Sequence, residues 1–380
     1  MTNRGGQHFG DTSRPRLSKS KTALLLGLAV LILGSMVVFT SQWVTRSGLF
    51  AVHPTATAPH QPTATRPASP HASDWPMFGF DPQHTHFNPQ EQVLTAANVS
   101  QLVPYWRAFT GGPIFSSPAV ADGEVYVSST DGKLYAYAVG CGGKLSCPPL
   151  WTASAVSPSF PNQDFTSPVV AGGVVYVGAQ GGLYAFSSAG CRGQFACSPL
   201  WTASTGGSIG QSSPTVAGGV VYIGTYDGKL YAFNTTGCGG QASCSPLWTA
   251  STGDSIDHSS PTVAGGVVYV GSADHKLYAF NATGCGGQAS CAPLWTASTG
   301  SFIQSSPAVA GGVVYVSSAD GKLYAFNATG CGGQASCAPL WTAITAAPGD
   351  LSSPAVAGGV VYVGSQDGKL WTFHLPGKGR

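Results

Sequence analysis

A proline recurs at 118, 168, 214, 261, 307 and 354, in steps of 50, 46, 47, 46 and 47 residues, each time inside a near-copy of "SSPAVAGGVVYVGS.DGKLYAF". Six copies at that period confine the chain to architectures in which like units stack, because a single unit cannot bury its own apolar surface. "SSPAVA" reads as a short strand, and the Gly-Gly at 172, 218, 265, 311 and 358 supplies the positive φ of a hairpin turn into "VVYVG". Asp-Gly at 131, 227, 320 and 367 makes a second turn into "KLYAF", and "PLWTAS" adds a fourth strand. The unit is a four-stranded antiparallel meander. Its strands are apolar on both faces: Val175 and Val177 point one way, Val174 and Tyr176 the other. A sheet with one wet face alternates apolar with polar, so these sheets are covered on both sides, as blades of a β-propeller are.

The three-strand block occurs six times, and so does the tryptophan strand, at Trp106, Trp151, Trp201, Trp248, Trp295 and Trp341. The first tryptophan strand, "LVPYWRAF", precedes the first block, and the last block, ending "LWTFHLP", has none after it. The expectation is six blades, the N-terminal strand completing the last one; seven or eight remain open if residues 74 to 101 add strands. Ten cysteines fall between the third and fourth strands with one spacing, pairing Cys141 with Cys147, Cys191 with Cys197, Cys238 with Cys244, Cys285 with Cys291, and Cys331 with Cys337. Closure by the front strand cuts that connection in the sixth blade, which accounts for five pairs and not six. Even pairing on the outer side of a membrane reads as disulfides, and a loop offering two cysteines and no histidine is a poor zinc site.

Composition shifts before the repeats. Residues 22 to 40, "TALLLGLAVLILGSMVVFT", carry no charge and are long enough for a transmembrane helix. Arg4, Arg14, Arg16, Lys19 and Lys21 precede them, so residues 1–21 are expected to be a basic cytoplasmic tail and everything beyond 40 to lie outside the membrane. A cleaved signal peptide is the alternative, although no small-x-small site follows the apolar run. Residues 41–73 are rich in Pro, Thr and Ala and read as an extended stalk, in which His53, His60 and His71 are scattered and not convergent. The propeller is expected over 74–375, with a short tail at 376–380. With 8% charged residues and a net charge of +2, nucleic acid is not a partner, because phosphate binding needs clustered cations.

"LYAFNATG" at 277 to 284 and 323 to 330, followed by "LW" at 294 and 340, resembles the tryptophan-docking repeat of the pyrroloquinoline quinone (PQQ) propellers. That family holds quinoprotein dehydrogenases and non-enzymatic relatives such as the lipoprotein that helps assemble outer-membrane barrels. "DWPMFGFDPQHTHFNP" at 74 to 89 is similar to the segment preceding the first blade of the dehydrogenases. Asn234, Asn281 and Asn327 stand where the family usually has Asp, and the cysteine loop is an addition expected to bulge outward. A dehydrogenase of this kind implies PQQ, a calcium ion with Glu and Asn ligands, a catalytic Asp and a ring of adjacent cysteines. This chain has no adjacent Cys-Cys pair, and its glutamates are Glu91 and Glu124, so none of these roles maps. The resemblance therefore points to the non-enzymatic branch, without PQQ or calcium.

The loops before "SSP" differ most between units. Three positions ahead of the proline stand Phe115, Phe165, Gln211, His258, Gln304 and Leu351, and one residue earlier Ile114, Asp164, Gly210, Asp257, Ile303 and Asp350. Next to the innermost strands, they are expected to ring one mouth of the central channel. Phe115, Asp164, Phe165, Gln211, Asp257, His258, Gln304 and Asp350 are the candidate residues for holding a protein or small molecule, against the alternative of loops that drift freely. Lys133, Lys229, Lys276, Lys322 and Lys369 on the same face read as solubilising turn residues.

Overall fold

The computed structural model describes residues 74–376 apart from 87, 91–92, 96, 156–165, 180, 192–193, 242, 257 and 346–351. All of these fall in the second of the chain's two units, Ala64–Arg380. The expected cytoplasmic tail, membrane span and stalk lie outside the described residues, and among the described residues no helix is long and apolar enough to cross a membrane.

The third repeat shows how a unit is built. Thr215–Ala217, Val220–Gly224, Lys229–Asn234 and Trp248–Ser251 form an antiparallel meander in that order, with Val221 opposite Phe233 and Tyr231 opposite Thr249. Its first turn needs Gly218 and Gly219, which sit at φ 57° and 79°, where a side chain would be strained. Equivalent meanders follow from the first, second, fourth and fifth repeats, so the described chain is an all-β fold built mainly of stacked four-stranded antiparallel sheets, propeller-like in pattern.

Neighbouring sheets bury each other's faces. One core joins Tyr176, Leu183 and Trp201 of the second unit to Val221, Ile223 and Phe233 of the third. The Trp201 indole lies so close to Gly237 of the next unit that a Cβ there would stand 2.5 Å from it; Trp151 meets Gly190, Trp248 Gly284 and Trp295 Gly330 in the same way. Beside each tryptophan a tyrosine crosses the seam: the Tyr176, Tyr222 and Tyr269 hydroxyls donate to the carbonyls of Thr235, Ala282 and Ala328 at 3.0, 2.9 and 2.8 Å.

All five cysteine pairs are disulfides, with Cα atoms 5.3 to 5.5 Å apart. The loops they close do not simply bulge outward. The residue before each second cysteine pairs in parallel with the tryptophan strand of the preceding unit: Ala196 with Thr152, Ser243 with Thr202, Ser290 with Thr249, Ser336 with Thr296. Each of these four disulfides therefore braces a pairing of one or two residues that clasps the neighbouring sheet.

The expected closing ladder is not formed. Arg107–Ala108 pairs with Ser146–Cys147 of the first unit, and the last unit is a three-stranded sheet of Ala355–Ala357, Val360–Gly364 and Leu370–His374. The front strand is tied to the first unit: the Arg107 N–H donates to the Leu145 carbonyl, the Trp106 indole to Val139, and the Tyr137 hydroxyl to Phe109.

Candidate functional site

The innermost strands of the units leave a channel, and residues 74–86 enter it. Trp75 exchanges two 2.8 Å backbone hydrogen bonds with Val120 of the first unit, and the Val170 N–H of the second donates to the Pro76 carbonyl at 2.7 Å. Farther along, Val263 of the fourth unit donates to Pro82 at 2.6 Å and Val309 of the fifth to Gln83 at 3.1 Å. Proline has no N–H, so at Pro76 and Pro82 the segment presents carbonyls to the inner-strand donors and loses nothing by doing so. Gly79 turns at φ 73°, and the fold back is so tight that a Cβ there would meet His84 at 2.9 Å. The family segment expected merely to precede the first blade is an internal plug. Its signal in the sequence was the density of Pro, Gly, aromatic and His residues with no period at all.

His84 is the deepest group of the plug. It is buried, with Nε2 3.2 Å from the Thr215 hydroxyl and Nδ1 2.9 Å from that of Thr262. Those hydroxyls also stand 2.6 Å from the carbonyls of Pro261 and Pro307. Four contacts share three protons while the imidazole is neutral, and four when it is charged. Burial nevertheless dominates: it pulls the pKa of His84 down to about 3, reinforced by nearby His86, which is itself lowered by burial.

Above the plug lies an open-mouthed cavity of about 350 Å³. Phe78 of the plug reaches it from below, and Phe115, Gln211 and His258 line it together with serines of all six units. Three of the sequence candidates thus converge. Gln304 is half-buried and does not line the cavity, and Ile303, its neighbour, is core, packed with Trp295 and Val316. The fifth unit is one residue shorter before its proline, so Ile303 stands in the place of Ile209 and Ile256, both buried between sheets. Asp164, Phe165, Asp257 and Asp350 lie outside the described residues. The turn lysines are held by the aspartates of their own turns, at 2.6 Å for Lys229 and Asp227 and 3.2 Å for Lys276 and Asp274, and make no cationic ring of the mouth.

The serine before each repeat proline was legible only as the start of a strand. In the structure these serines form a relay around the channel. The backbone N–H of Ser117 donates to Ser167 Oγ at 2.9 Å, Ser167 to Ser213 at 3.1 Å, Ser213 to Ser260 at 3.0 Å, Ser260 to Ser306 at 2.9 Å and Ser306 to Ser353 at 2.9 Å. Every link joins one unit to the next.

A family model described as outer membrane protein assembly factor BamB, built of PQQ repeats, matches residues 66–194 and 240–378. The chain belongs to this PQQ-repeat family. Among solved structures, BamB from Moraxella catarrhalis shares the fold at 19% identity and a TM-score of 0.53, over 71% of this chain and 75% of that one. The computationally designed Ika8 protein is similar at 15% identity and a TM-score of 0.51, over 71% and 74%. Quinohemoprotein alcohol dehydrogenase from Comamonas testosteroni is similar at 17% identity and a TM-score of 0.54, over 71% of this chain and 49% of that one. No curated protein matches the chain.

The dehydrogenase branch of the family implies PQQ and calcium, and the described lining of the cavity offers no Glu or Asn ligand for them. The plug fills the axis where His84 bridges Thr215 and Thr262, and the described lining of the cavity contains no carboxylate. Glu124 lies at the seam of the first two units against Tyr126 and Trp151, where burial raises its pKa. The ten cysteines are all committed to six-residue spacings, so no ring of adjacent cysteines forms.

Proposed function

We propose that the chain is a scaffold: a propeller held outside a membrane by residues 22–40 and engaging a protein or small molecule at the mouth lined by Phe115, Gln211 and His258. The observation that carries this reading is the plugged channel. With residues 74–86 across its floor, the propeller offers an open polar mouth with an aromatic lip, Phe115 being 82% exposed, and no carboxylate among its described lining residues. Family membership beside BamB, an assembly factor by its printed name, supports a binding role over a catalytic one.

Capture from native membranes tests it. The wild-type chain retains a partner that the triple variant Phe115→Ala, Gln211→Ala, His258→Ala loses, and an unchanged set of captured proteins overturns the mouth as the site. Addition of PQQ and calcium with a redox dye is the opposing arm: dye reduction would establish the oxidoreductase reading instead.

The ring is six-bladed in this reading. Arg107 pairs with Ser146, the residue before Cys147, in the register that Thr152, Thr202, Thr249 and Thr296 keep with the next unit's cysteine strand. The front strand thus occupies, relative to the first unit, the place of the tryptophan strand of a preceding blade, and in a closed ring that blade is the last. Hydrogen exchange decides it: amides of Leu370–His374 as protected as those of Lys276–Asn281 mean a zipped seam, and rapid exchange an open one.

A further inference from the structure

We propose that the serine ring receives the carboxylate of a small organic acid whose apolar body rests on Phe78 and Phe115; this builds on the reading of the mouth as a ligand site. A serine hydroxyl has one proton to give and two lone pairs to receive. In Ser167, Ser213, Ser260, Ser306 and Ser353 one lone pair is taken by the neighbouring unit's N–H. Among the described residues, none of the five gives its proton to a protein acceptor. Ser167, Ser213, Ser260 and Ser306 are 8%, 4%, 2% and 2% exposed, so the space that can satisfy those protons is the cavity they line. Buried hydroxyl donors demand an acceptor, and each is polarised by the N–H behind it, which strengthens what it donates.

The chemistry of the wall narrows the acceptor. Five donors around one axis select a group rich in lone pairs. No lysine or arginine lines the cavity among the described residues, so a doubly charged phosphate or sulfate would lose its hydration without a counter-charge. A carboxylate carries one charge over two oxygens and accepts several hydrogen bonds at once. The cavity of about 350 Å³ is at the small end for ligand sites, and Phe78 below and Phe115 at the lip offer the apolar contact for a compact body.

Calorimetric titration of the full chain with benzoate, benzamide and benzyl alcohol tests the ring. Benzoate is expected to bind about tenfold more tightly than either neutral isostere, since hydrogen bonds to a charged acceptor outweigh neutral ones by that order. The double variant Ser213→Ala, Ser260→Ala is expected to bring benzoate down to the affinity of benzamide. Should that variant fail to fold, the exposed Phe115→Ala is expected to weaken all three ligands alike while keeping the preference for benzoate. Equal affinity for benzoate and benzamide, or no saturable benzoate binding, overturns the donor ring. Partner capture that depends on the mouth without benzoate binding would sink the ring and leave the scaffold standing; benzoate binding without such capture does the reverse.

Discussion

The seam between the third and fourth units and the seam between the fifth and sixth start from the same tryptophan-strand sequence, yet they bury it to very different depths. Trp248 is 4% exposed and seated on Gly284, whereas Trp341, in an identical "PLWTA" context, is 40% exposed and meets Phe373 edge-on at 5.1 Å. The fourth unit's cysteine strand clasps the third unit's tryptophan strand, whereas among the described residues Trp341–Ile344 pairs only with its own unit's third strand, although the serine relay crosses both seams. Burial in a stacked fold is therefore conferred by the neighbour and not by the unit's own sequence, as expected where each repeat contacts only the next.

Mutations at matched positions sharpen this contrast. Trp248→Ala is expected to cost about 3 to 5 kcal/mol in denaturant unfolding and Trp341→Ala about 1, because only the first leaves a sealed cavity; equal costs would mean that the last seam is as tightly packed in solution as the others. Next comes pH. His84 has its pKa lowered in the fold to about 3 against 6.5 when unfolded, so the unfolded chain takes up the proton first. Stability is then full above about pH 6.5 and falls as pH drops, by about 1.4 kcal/mol per unit until His84 itself titrates. Replacing it by His84→Asn is expected to flatten that slope in unfolding curves at pH 7 and pH 4.

Removing one clasp ranks third. Cys285→Ser with Cys291→Ser is expected to cost about 2 kcal/mol, the gain from closing so short a loop, and to speed exchange at Trp248–Ser251 of the preceding unit. Exchange changes confined to the fourth unit would show that the disulfide serves its own blade alone. The smallest effect is at the free edge: Leu370, 69% exposed, is expected to tolerate Leu370→Ser within about 0.5 kcal/mol, and a larger loss would place a strand against it.

The repeats exposed most of this fold because hairpin glycines, β-branched strands and paired cysteines are local signals, readable within twenty residues. Phe115, Gln211 and His258 stood out because they vary against a constant background. What stayed hidden is non-local. The plug makes only one or two backbone hydrogen bonds to each strand it meets, the farthest more than two hundred residues away, and needs no periodicity to do so, and its left-handed residues Phe80, His84 and His86 follow no turn signature. The cysteine strands are at most two residues long, below what any pattern can mark. The serine relay was masked by its own regularity, since a residue identical in every unit reads as scaffolding until its hydrogen bonds are traced. The closing strand failed in the opposite way: it was assigned by counting elements, and a count does not say which strands meet, so Arg107–Ala108 is found beside Ser146–Cys147 and not on the last sheet.

The plug also sets an order of events. Its residues are the first of the described chain to be synthesised, yet Val309, the partner of Gln83, lies more than two hundred residues downstream. Like a keystone cut before the arch exists, the segment has to wait, unsatisfied, until the fifth unit has emerged. A chain interrupted before that point would keep its finished blades and still lack a centre.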